Sequence, residues 1–572
     1  AHCIGIQRAA CASMILQFLV FFLCYFCIVA GRVSSQTERT NRHRVFPAAK
    51  IENYSEDDHT LVGLVKPTSL SFQGTTAVLE HSVLATAIQS FQDSLYRLPD
   101  FKDDYPVNPD HVDSLEITTI QIEVLSLDFG LYHGVDESYQ IQVDDLLPVI
   151  TVKAPTIFGA RHAMETLAQL LEFGWMDDHA ADDNQNNDEP IYLLRGIPLT
   201  IVDEPAYSFR GLLIDTGRHF LPMNLIMDTL YTMSMNKMNV LHWHLVDEQF
   251  FPYQMETYPE IAQKGSYHPR RIYTTQDIQN VIQKAYTLGI RVIPEFDLPG
   301  HTRAIGKSHP EWMSFCPDPA SLVDATKPEV YDFVENVYKD LSNLFRDEMV
   351  HVGGDEVELK CWKESEEISC WMKEHNMSDP VELYEYFETR LLRIVDKFQK
   401  TPIVWQEVFN LNLTITPQTV VDVWKGFDTA TIEAATAQNF RVVLSGCWYL
   451  DHLDKNWQHF YDCDPRNFTG GNPDLMIGGH ASMWGEHVDA SNFLSRTWPR
   501  ASAAAERLWT GNVTTARGNI EDRIHQFRCR MVQQGIAAEP TGPGFCPHEV
   551  PYDPGYPRVT NVMSSMDHST AA

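Results

Sequence analysis

An acidic pair, Asp355-Glu356, follows an apolar segment rich in β-branched residues and two glycines in the run 349–356, MVHVGGDE. In a regular strand, neighbouring side chains point to opposite faces, so two adjacent acids can serve one pocket only where the strand ends. The glycines Gly353 and Gly354 allow such a turn. Paired carboxyl groups suit acid-assisted bond cleavage, because one can donate a proton while the other stabilises positive charge. A solvated acidic turn is the alternative interpretation of the pair alone.

The elements that would position this pair alternate along the chain. Eight short apolar segments are strand candidates, at 211–215, 239–247, 289–297, 349–356, 402–407, 420–424, 440–444 and 476–484. Amphipathic, helix-like stretches separate them, at 275–288, 327–345, 381–398 and 429–438. This alternation predicts an α/β fold, a closed (β/α)₈ TIM barrel over residues 205–546, in which the acidic pair ends the fourth strand.

A smaller α+β domain is predicted over residues 36–204. The segments 116–124 and 139–143 alternate like strands, and 160–172 spaces its apolar residues like a helix. The polar, acidic tract 177–189 is predicted to be an exposed loop, and residues 547–572 a flexible tail.

Residues 1–35 have the character of a targeting segment. An almost uncharged apolar stretch runs from Met14 to small residues near Gly31, which predicts a cleaved signal peptide or a retained signal anchor. The chain is therefore expected in the secretory pathway, lysosomal or extracellular. Glycosylation sequons, which are expected to lie at the surface, begin at Asn53, Asn376, Asn412, Asn467 and Asn512.

The net charge of the 572-residue chain is −33. This charge argues against nucleic acid and against anionic membrane surfaces as partners, since both require clustered Lys and Arg. Contact with a membrane is expected only if the N-terminal segment is retained as an anchor. No cofactor is predicted.

The predicted strand ends carry the mixture of side chains that sugar sites use. Aromatic faces pack on the apolar side of a sugar ring, and charged groups fix its hydroxyls. Besides the acidic pair, the candidates are Arg218, Asp247, His301, Trp405, Trp424, Tyr449, Asp451, Trp484 and Glu486. Structural roles are the alternatives: an ion pair at the barrel bottom for Arg218, helix caps for Asp247 and His301, and core packing for the tryptophans. Glu506 and Arg507 are interpreted as a pair that braces the barrel.

These motifs resemble the β-N-acetylhexosaminidases of glycoside hydrolase family 20, similar to the lysosomal enzymes of animals. The matching residues form an ordered set over about 205–546: RGLLIDTGRHFLP from 210, HWHLVD from 242, EFDLPGH from 295, HVGGDE from 351, VWQE from 404, WYLD from 448 and MWGE from 483. The segment FGARHAMETLAQL from 158 extends the resemblance into the preceding domain.

The resemblance implies a role for each candidate. Glu356 is the general acid, and the nucleophile is the 2-acetamido oxygen of the substrate, which Asp355 orients. Asp247 and His301 form a relay to Glu356. The implied contacts with the sugar are Tyr449 on the acetamido oxygen, Trp405, Trp424 and Trp484 as pocket walls, Arg218 and Glu486 on the hydroxyls at positions 3 and 4, and Asp451 on the hydroxyl at 6.

The resemblance also implies the substrate class and the disulfides. Asp451 matches the β-type subunits and favours neutral terminal GlcNAc or GalNAc, although a protonated His452 beside it leaves anionic sugars open. Family disulfides are matched by Cys316–Cys361 and Cys529–Cys546. Cys370, Cys447 and Cys463 have no obvious counterpart. Dimerisation is common in the family, so a homodimer is a further expectation.

Two rival functions have their own sequence features. A metal-dependent hydrolase on the same barrel would use His242 and His244, which share one strand face, with His301 and His351. A catalytically silent sugar-binding protein would keep the scaffold and lose the reaction. The intact acidic pair argues against the silent protein, and the tryptophans at the fifth and sixth strand ends argue against the metalloenzyme. No metal is therefore predicted.

Overall fold

The computed structural model describes residues 45–53, 61–96, 106–107, 114–176, 190–314, 322–511 and 519–546. The predicted leader (1–35), acidic loop (177–189) and tail (547–572) lie outside these residues. None of the helices in this described part combines the length and the apolar character that a membrane span requires.

In its described residues, the N-terminal part contains two sheets and three helices. Its strands are β1 (Ile51–Asn53), β2 (Leu61–Val65), β3 (Ser71–Gln73), β4 (Pro106–Val107), β5 (Ser114–Ile117), β6 (Thr119–Val124), β7 (Tyr139–Val143), β8 (Val149–Ala154), β9 (Leu171–Met176), β10 (Ile191–Ile197) and β11 (Leu199–Asp203). Its helices are α1 (Thr76–Leu79), α2 (Ser82–Leu95) and α3 (Ile157–Leu170). The strand orders are β1-β11-β7-β8-β6-β3 and β4-β9-β10-β2-β5. The predicted strand at 116–124 is two strands, broken at Thr118.

The second part is the predicted closed barrel of eight parallel strands. The strands are β12 (Phe209–Asp215), β13 (Val240–His244), β14 (Arg291–Glu295), β15 (Met349–His351), β16 (Thr401–Trp405), β17 (Val420–Val423), β18 (Arg441–Leu444) and β19 (Met476–Met483). The helices of this part are α4 (Met223–Met235), α5 (Pro259–Gly265), α6 (Thr275–Thr287), α7 (Arg303–Gly306), α8 (Pro328–Leu344), α9 (Leu359–Glu364), α10 (Glu366–Glu374), α11 (Pro380–Lys397), α12 (Gln406–Asn410), α13 (Thr429–Ala437), α14 (Trp457–Tyr461), α15 (Phe493–Thr497), α16 (Arg500–Thr510) and α17 (Ile520–Gln533). Strand β19 pairs with β12 and closes the ring.

The barrel interior is filled by side chains rather than open. One buried cluster takes a residue from nearly every strand: Phe209, Val240, Ile293, Met349, Ile403, Val420 and Val443. Branched apolar residues from successive strands make such a layer because inward-pointing positions recur at the same height around a closed barrel. The packed interior confines ligands to the ends of the strands.

A buried polar cluster joins the first part to the bottom of the barrel. Asp203, at the end of β11, accepts hydrogen bonds from Lys237 Nζ at 2.8 Å and from Trp509 Nε1 at 3.0 Å. Glu137 accepts from Arg210 Nη2 at 2.7 Å. Buried charges are tolerated only when they are paired, and these pairs cross between the two parts of the chain. They support the barrel from the face opposite the strand ends.

The bracing pair predicted from the sequence is partly wrong. Glu506 does brace the barrel, but its partner is Arg523 on α17, whose two terminal nitrogens donate to Glu506 at 2.6 and 2.7 Å. Arg507 instead donates to the carbonyl oxygens of Cys463 and Gly511. Adjacent residues on a helix do not face each other, which is why 506 and 507 separate.

Removal of this buried ion pair is expected to be costly. Arg523→Met leaves the Glu506 carboxylate buried without its cation, so we expect the free energy of unfolding to fall by about 3–5 kcal/mol in urea denaturation. Arg195→Met removes an exposed pair with Glu172 and is the matched control, with an expected change below about 1 kcal/mol. Equal losses in the two variants would contradict the prediction.

The cysteines are resolved more fully than the sequence allowed. Cys529 and Cys546 form the predicted disulfide, and Cys447 pairs with Cys463. Cys361 is disulfide-bonded, but its predicted partner, Cys316, lies outside the described residues. Cys370 is a free, exposed thiol.

The sequon residues Asn53, Asn376, Asn412 and Asn467 are exposed, and Asn512 is outside the described residues.

Candidate active site

The acidic pair lies on a sharp turn directly after β15. The predicted strand 349–356 is too long, since the ladder stops at His351 and Gly353, Gly354 and Glu356 have φ of 76°, 98° and 50°. A Cβ on Gly353 would lie 1.7 Å from Asp297 Oδ1, so this position requires glycine. Positive φ is unfavourable for Glu356, and backbone strain of this kind concentrates at functional sites. The turn gives the two acids different surroundings.

The two acids differ in the exposed fraction of their side chains. The Asp355 side chain is 14% exposed and the Glu356 side chain is 60% exposed. Both carboxylates nevertheless approach the same imidazole, since His301 Nε2 lies 3.7 Å from Asp355 Oδ2 and 3.7 Å from Glu356 Oε2. Glu356 can therefore reach a leaving group at the mouth of the site, while Asp355 faces its interior.

Asp355 shares a proton with Asp297, a residue that the sequence analysis did not select. The two carboxyl groups hydrogen bond to each other, and Gly354 N donates to Asp297 Oδ1 at 2.9 Å. Burial, and then the charge of Asp355, raises the pKa of Asp297 well above its usual range. Burial also raises the pKa of Asp355, while the charge of His301 and then the hydrogen bond with Asp297 oppose this rise. The two carboxyl groups are therefore expected to hold one proton between them.

Asp247 and His301 are in direct contact, as the predicted relay requires. His301 Nδ1 lies 3.2 Å from Asp247 Oδ1. Although burial opposes it, the neighbouring carboxylates raise the pKa of His301 well above its usual value, so the ring is an imidazolium. The helix-cap alternatives are wrong, because the helices that follow these two residues begin after Tyr258 and Thr302.

Arg218 connects the relay to the opposite wall of the site. Its Nη1 donates to Asp215 Oδ2 at 3.0 Å. Its Nη2 lies 3.0 Å from Asp247 Oδ2 and 3.8 Å from Glu486 Oε1. The guanidinium carbon lies 5.1 Å from the Trp484 ring centroid. Arg218 thus lies at the strand ends and not at the barrel bottom, which excludes the bottom ion pair suggested for it.

Aromatic side chains form one wall at the same strand ends. The rings of Trp405 and Trp484 are 6.1 Å apart, those of Tyr449 and Trp484 are 6.2 Å apart, and Trp424 stacks with Tyr449 at 6.1 Å. Trp405 Nε1 donates to Glu295 Oε1 at 2.9 Å, which fixes the orientation of its ring. Trp405 and Trp484 are buried, whereas Trp424 and Tyr449 are partly exposed. The aromatic wall is therefore closed to solvent at Trp405 and Trp484 and partly open to it at Trp424 and Tyr449.

Several polar atoms of the site are available to a ligand. Among the residues that the structure describes, Arg218 Nε, Asp355 Oδ1, Asp451 Oδ1 and Trp484 Nε1 are buried and have no hydrogen-bond partner. Buried polar atoms are usually paired, and unpaired ones call for an explanation such as a ligand. Two acceptors and two donors around an aromatic wall match the amide and hydroxyl groups of an N-acetylated sugar.

The structure thus places all eleven predicted residues of the site at the carboxyl ends of the barrel strands. It adds four buried residues that were not among the predicted residues of the sugar site: Asp215, His244, Glu295 and Asp297. Each occupies a strand end, or the turn after it, within a motif already quoted. Their place at the strand ends could have identified them, because catalytic side chains of barrels come from those ends.

The histidines of the metal hypothesis are divided between two carboxylates. His244 and His301 contact Asp247, while His242, His351 and again His244 contact Glu295. His242 Nε2 lies 2.9 Å from Glu295 Oε2, and His480 Nε2 lies 2.7 Å from Asp422 Oδ2. Two ligands of a tetrahedral zinc ion with bonds of 2.0–2.1 Å are about 3.3 Å apart. The shorter separations favour direct imidazole–carboxylate contacts over a metal centre.

Comparison with known families agrees with this geometry. Residues 207–512 match the family described as glycosyl hydrolase family 20, catalytic domain, and residues 33–170 match a domain described as beta-acetyl hexosaminidase like. The chain belongs to glycosyl hydrolase family 20. It is a glycoside hydrolase, and the family assignment made from the sequence is confirmed.

Curated relatives cover most of the chain. Beta-hexosaminidase subunit beta of Felis catus is 39% identical over 482 residues, 82% of this chain and 87% of that protein. The Homo sapiens subunit beta is 40% identical, over 72% of this chain and 74% of that protein. Among solved structures, a chitobiase from Flavobacterium johnsoniae aligns with a TM-score of 0.69 and 25% identity, over 87% of this chain and 74% of that one. These similarities include both parts of the fold.

Proposed function

We propose that this family 20 enzyme is an exo-β-N-acetylhexosaminidase that removes terminal β-linked GlcNAc or GalNAc from glycoconjugates or chito-oligosaccharides. The observation that carries the proposal is the turn at 355–356. It presents an interior carboxyl group and an exposed one on the same side of the barrel mouth, and both lie 3.7 Å from the same imidazole. Curated relatives named beta-hexosaminidase, at about 40% identity, support the proposal.

The residues divide the reaction between them. Glu356 protonates the glycosidic oxygen as the bond to C1 breaks, and the substrate's acetamido oxygen attacks C1 to give a cyclic oxazolinium. Asp355 accepts a hydrogen bond from the acetamido N–H through Oδ1 and offsets the positive charge that develops. Water then opens the ring, with Glu356 as base, and the anomeric configuration is retained.

The remaining residues hold the sugar. Tyr449 donates to the acetamido oxygen, and Trp405, Trp424 and Trp484 enclose the methyl group and the ring. Arg218 and Glu486 bind the hydroxyls at positions 3 and 4. Asp451 binds the hydroxyl at position 6.

Turnover of a simple glycoside tests the proposal directly. The purified protein is expected to release 4-nitrophenol from its β-GlcNAc glycoside, with an acidic optimum and β-GlcNAc as the first product in NMR. Activity that survives exhaustive chelation would exclude the metalloenzyme. Binding of GlcNAc without turnover would favour the silent sugar-binding protein instead.

Asp451 gives the site a pH dependence of its own. Burial raises the pKa of Asp451 to about 6. The carboxylate is therefore present above that pH and is lost as the pH falls through it, so we expect KM for the glycoside to rise as the solution is acidified. Asp451→Asn should raise KM about tenfold at neutral pH and make it flat between about pH 5 and 7. Asp454→Asn, at an exposed neighbour, is the control and should keep the wild-type profile.

Cellular location and assembly are proposed from the same relatives. The sequons and the animal hexosaminidase relatives support a place in the secretory pathway, lysosomal or extracellular. A homodimer is also proposed, and its test is the mass of the purified protein in solution. Comparison of chitobiose, an N-glycan and a sulfated GlcNAc glycoside as substrates would identify the preferred sugar.

A further inference from the structure

A buried chain of three side chains lies behind the relay. His244 ends β13 and Glu295 ends β14, and the two are direct neighbours in the strand register. The His244 ring has a carboxylate on each side, with Nδ1 2.7 Å from Glu295 Oε2 and Nε2 2.8 Å from Asp247 Oδ2. All three side chains are at most 2% exposed. The order is therefore Glu295, His244, Asp247 and then His301.

The series Glu295–His244–Asp247 requires an imidazolium at its centre. Carboxylates accept and do not donate, so both nitrogens of His244 must carry protons. Burial opposes the charge, but Glu295 and the two hydrogen bonds raise the pKa of His244 well above its usual value. The pKa of Glu295 is held well below its usual range, because the neighbouring imidazoles outweigh the burial that would raise it.

The position of Asp247 depends on this cation. Its Oδ2 is shared by His244 and Arg218, and its Oδ1 faces His301 and accepts from Glu248 N at 2.5 Å. Arg218 also contacts Asp215 and is a predicted sugar ligand, so it divides its donors among several partners. His244 donates to Asp247 from the packed interior of the barrel. Loss of this donor would free the carboxylate to turn away from His301.

We propose that His244 is a positioning residue for the reaction, with Glu295 as its counter-ion, and that it fixes Asp247 so that His301 faces the general acid. The inference rests on the proposed function and deepens it. Glu295 also accepts from Trp405 Nε1 at 2.9 Å, so the same carboxylate orients a wall of the acetamido pocket. One buried acid thereby couples the relay to the pocket.

Two substitutions at 244 separate positioning from simple packing. The amide nitrogen of Gln lies near Nε2 of the histidine it replaces, and that of Asn lies near Nδ1. His244→Gln therefore keeps a donor toward Asp247, whereas His244→Asn keeps one only toward Glu295. We expect kcat on chitobiose to fall about 10- to 100-fold in His244→Asn and less than tenfold in His244→Gln, with little change in KM.

The pH profile is the second readout. The charged groups that face His244 and Asp247 are Glu295, Asp215, Arg218 and His301. Both substitutions remove a positive charge next to Asp247, so its pKa rises and activity is lost at a higher pH on the acid side. We expect the acid limb of the pH profile of kcat/KM to shift to higher pH in both variants. His480→Asn is the control, since His480 is a buried barrel histidine that contacts Asp422 and Ser482 and not Asp247.

The outcomes distinguish this inference from the proposed function. An inactive wild-type protein would refute the function itself. An active wild type with equal kcat in the two folded variants, or with an unmoved acid limb in folded His244→Gln, would overturn the role of His244. If His244→Asn does not fold, the acid limb of His244→Gln decides alone, because Gln is uncharged at every pH.

Discussion

Glu356→Gln is expected to lower kcat for release of 4-nitrophenol from its β-GlcNAc glycoside by about 10²- to 10⁴-fold, with KM nearly unchanged. Glutamine matches the shape of glutamic acid but has no proton to give to the glycosidic oxygen. The loss should be larger on chitobiose, whose leaving group needs more protonation than 4-nitrophenolate does. Steady-state kinetics on the two substrates provide the measurement.

The neighbouring exposed acid supplies the control for this substitution. Glu358→Gln changes the same residue type two positions along, outside the pair, and should retain wild-type kcat on both substrates. Undiminished turnover by Glu356→Gln would show that Glu356 is not the acid. A loss of equal size on the two substrates would show that its proton does not serve the leaving group.

Asp355→Ala is expected to lower kcat about 10²- to 10³-fold, because the acetamido group loses both its orienting acceptor and the charge that offsets the oxazolinium. A series of 4-nitrophenyl glycosides with fluorinated N-acetyl groups measures the participation of this group. In the wild type, kcat should fall steeply as fluorine weakens the acetamido oxygen as a nucleophile. The variant should show a much flatter dependence.

Glu358→Gln, in which the acidic pair is intact, again serves as the control. Its kcat should keep the steep dependence on fluorination. A small loss in Asp355→Ala, or the same steep dependence in that variant, would refute the substrate-assisted account. Asp355→Asn adds a further comparison, since it keeps the shape and removes the charge. In this variant, the hydrogen bond between residue 355 and Asp297 needs no shared proton. The pH profile of the variant should therefore lose the ionisation of the Asp297–Asp355 pair.

The barrel and most of its site could be predicted from local features. Each strand is a short apolar run whose end carries a polar or aromatic residue, and the carboxyl ends of barrel strands meet at one face. This rule placed Arg218, Trp405 and Glu486 together although they are far apart in sequence. The glycines before Asp355 similarly marked the end of β15.

Side-chain partners were beyond local features. The pairing of Glu506 with Arg523, rather than with the adjacent Arg507, depends on how α16 and α17 pack. The pairing of Cys447 with Cys463 was left open for the same reason. Sequence proximity carries little information when contact depends on the relative position of two elements.

What the sequence by itself determined is the family, the closed barrel and the residue types at its strand ends, since these follow from periodicity and from contiguous motifs. Only the tertiary structure decided how the charges are shared. Asp297 and Asp355 share a proton because both are buried and hydrogen-bonded to each other, and His244 bridges Glu295 and Asp247. Such protonation states depend on burial and on distances of about 3 Å between groups on different strands, which are fixed only when the barrel closes.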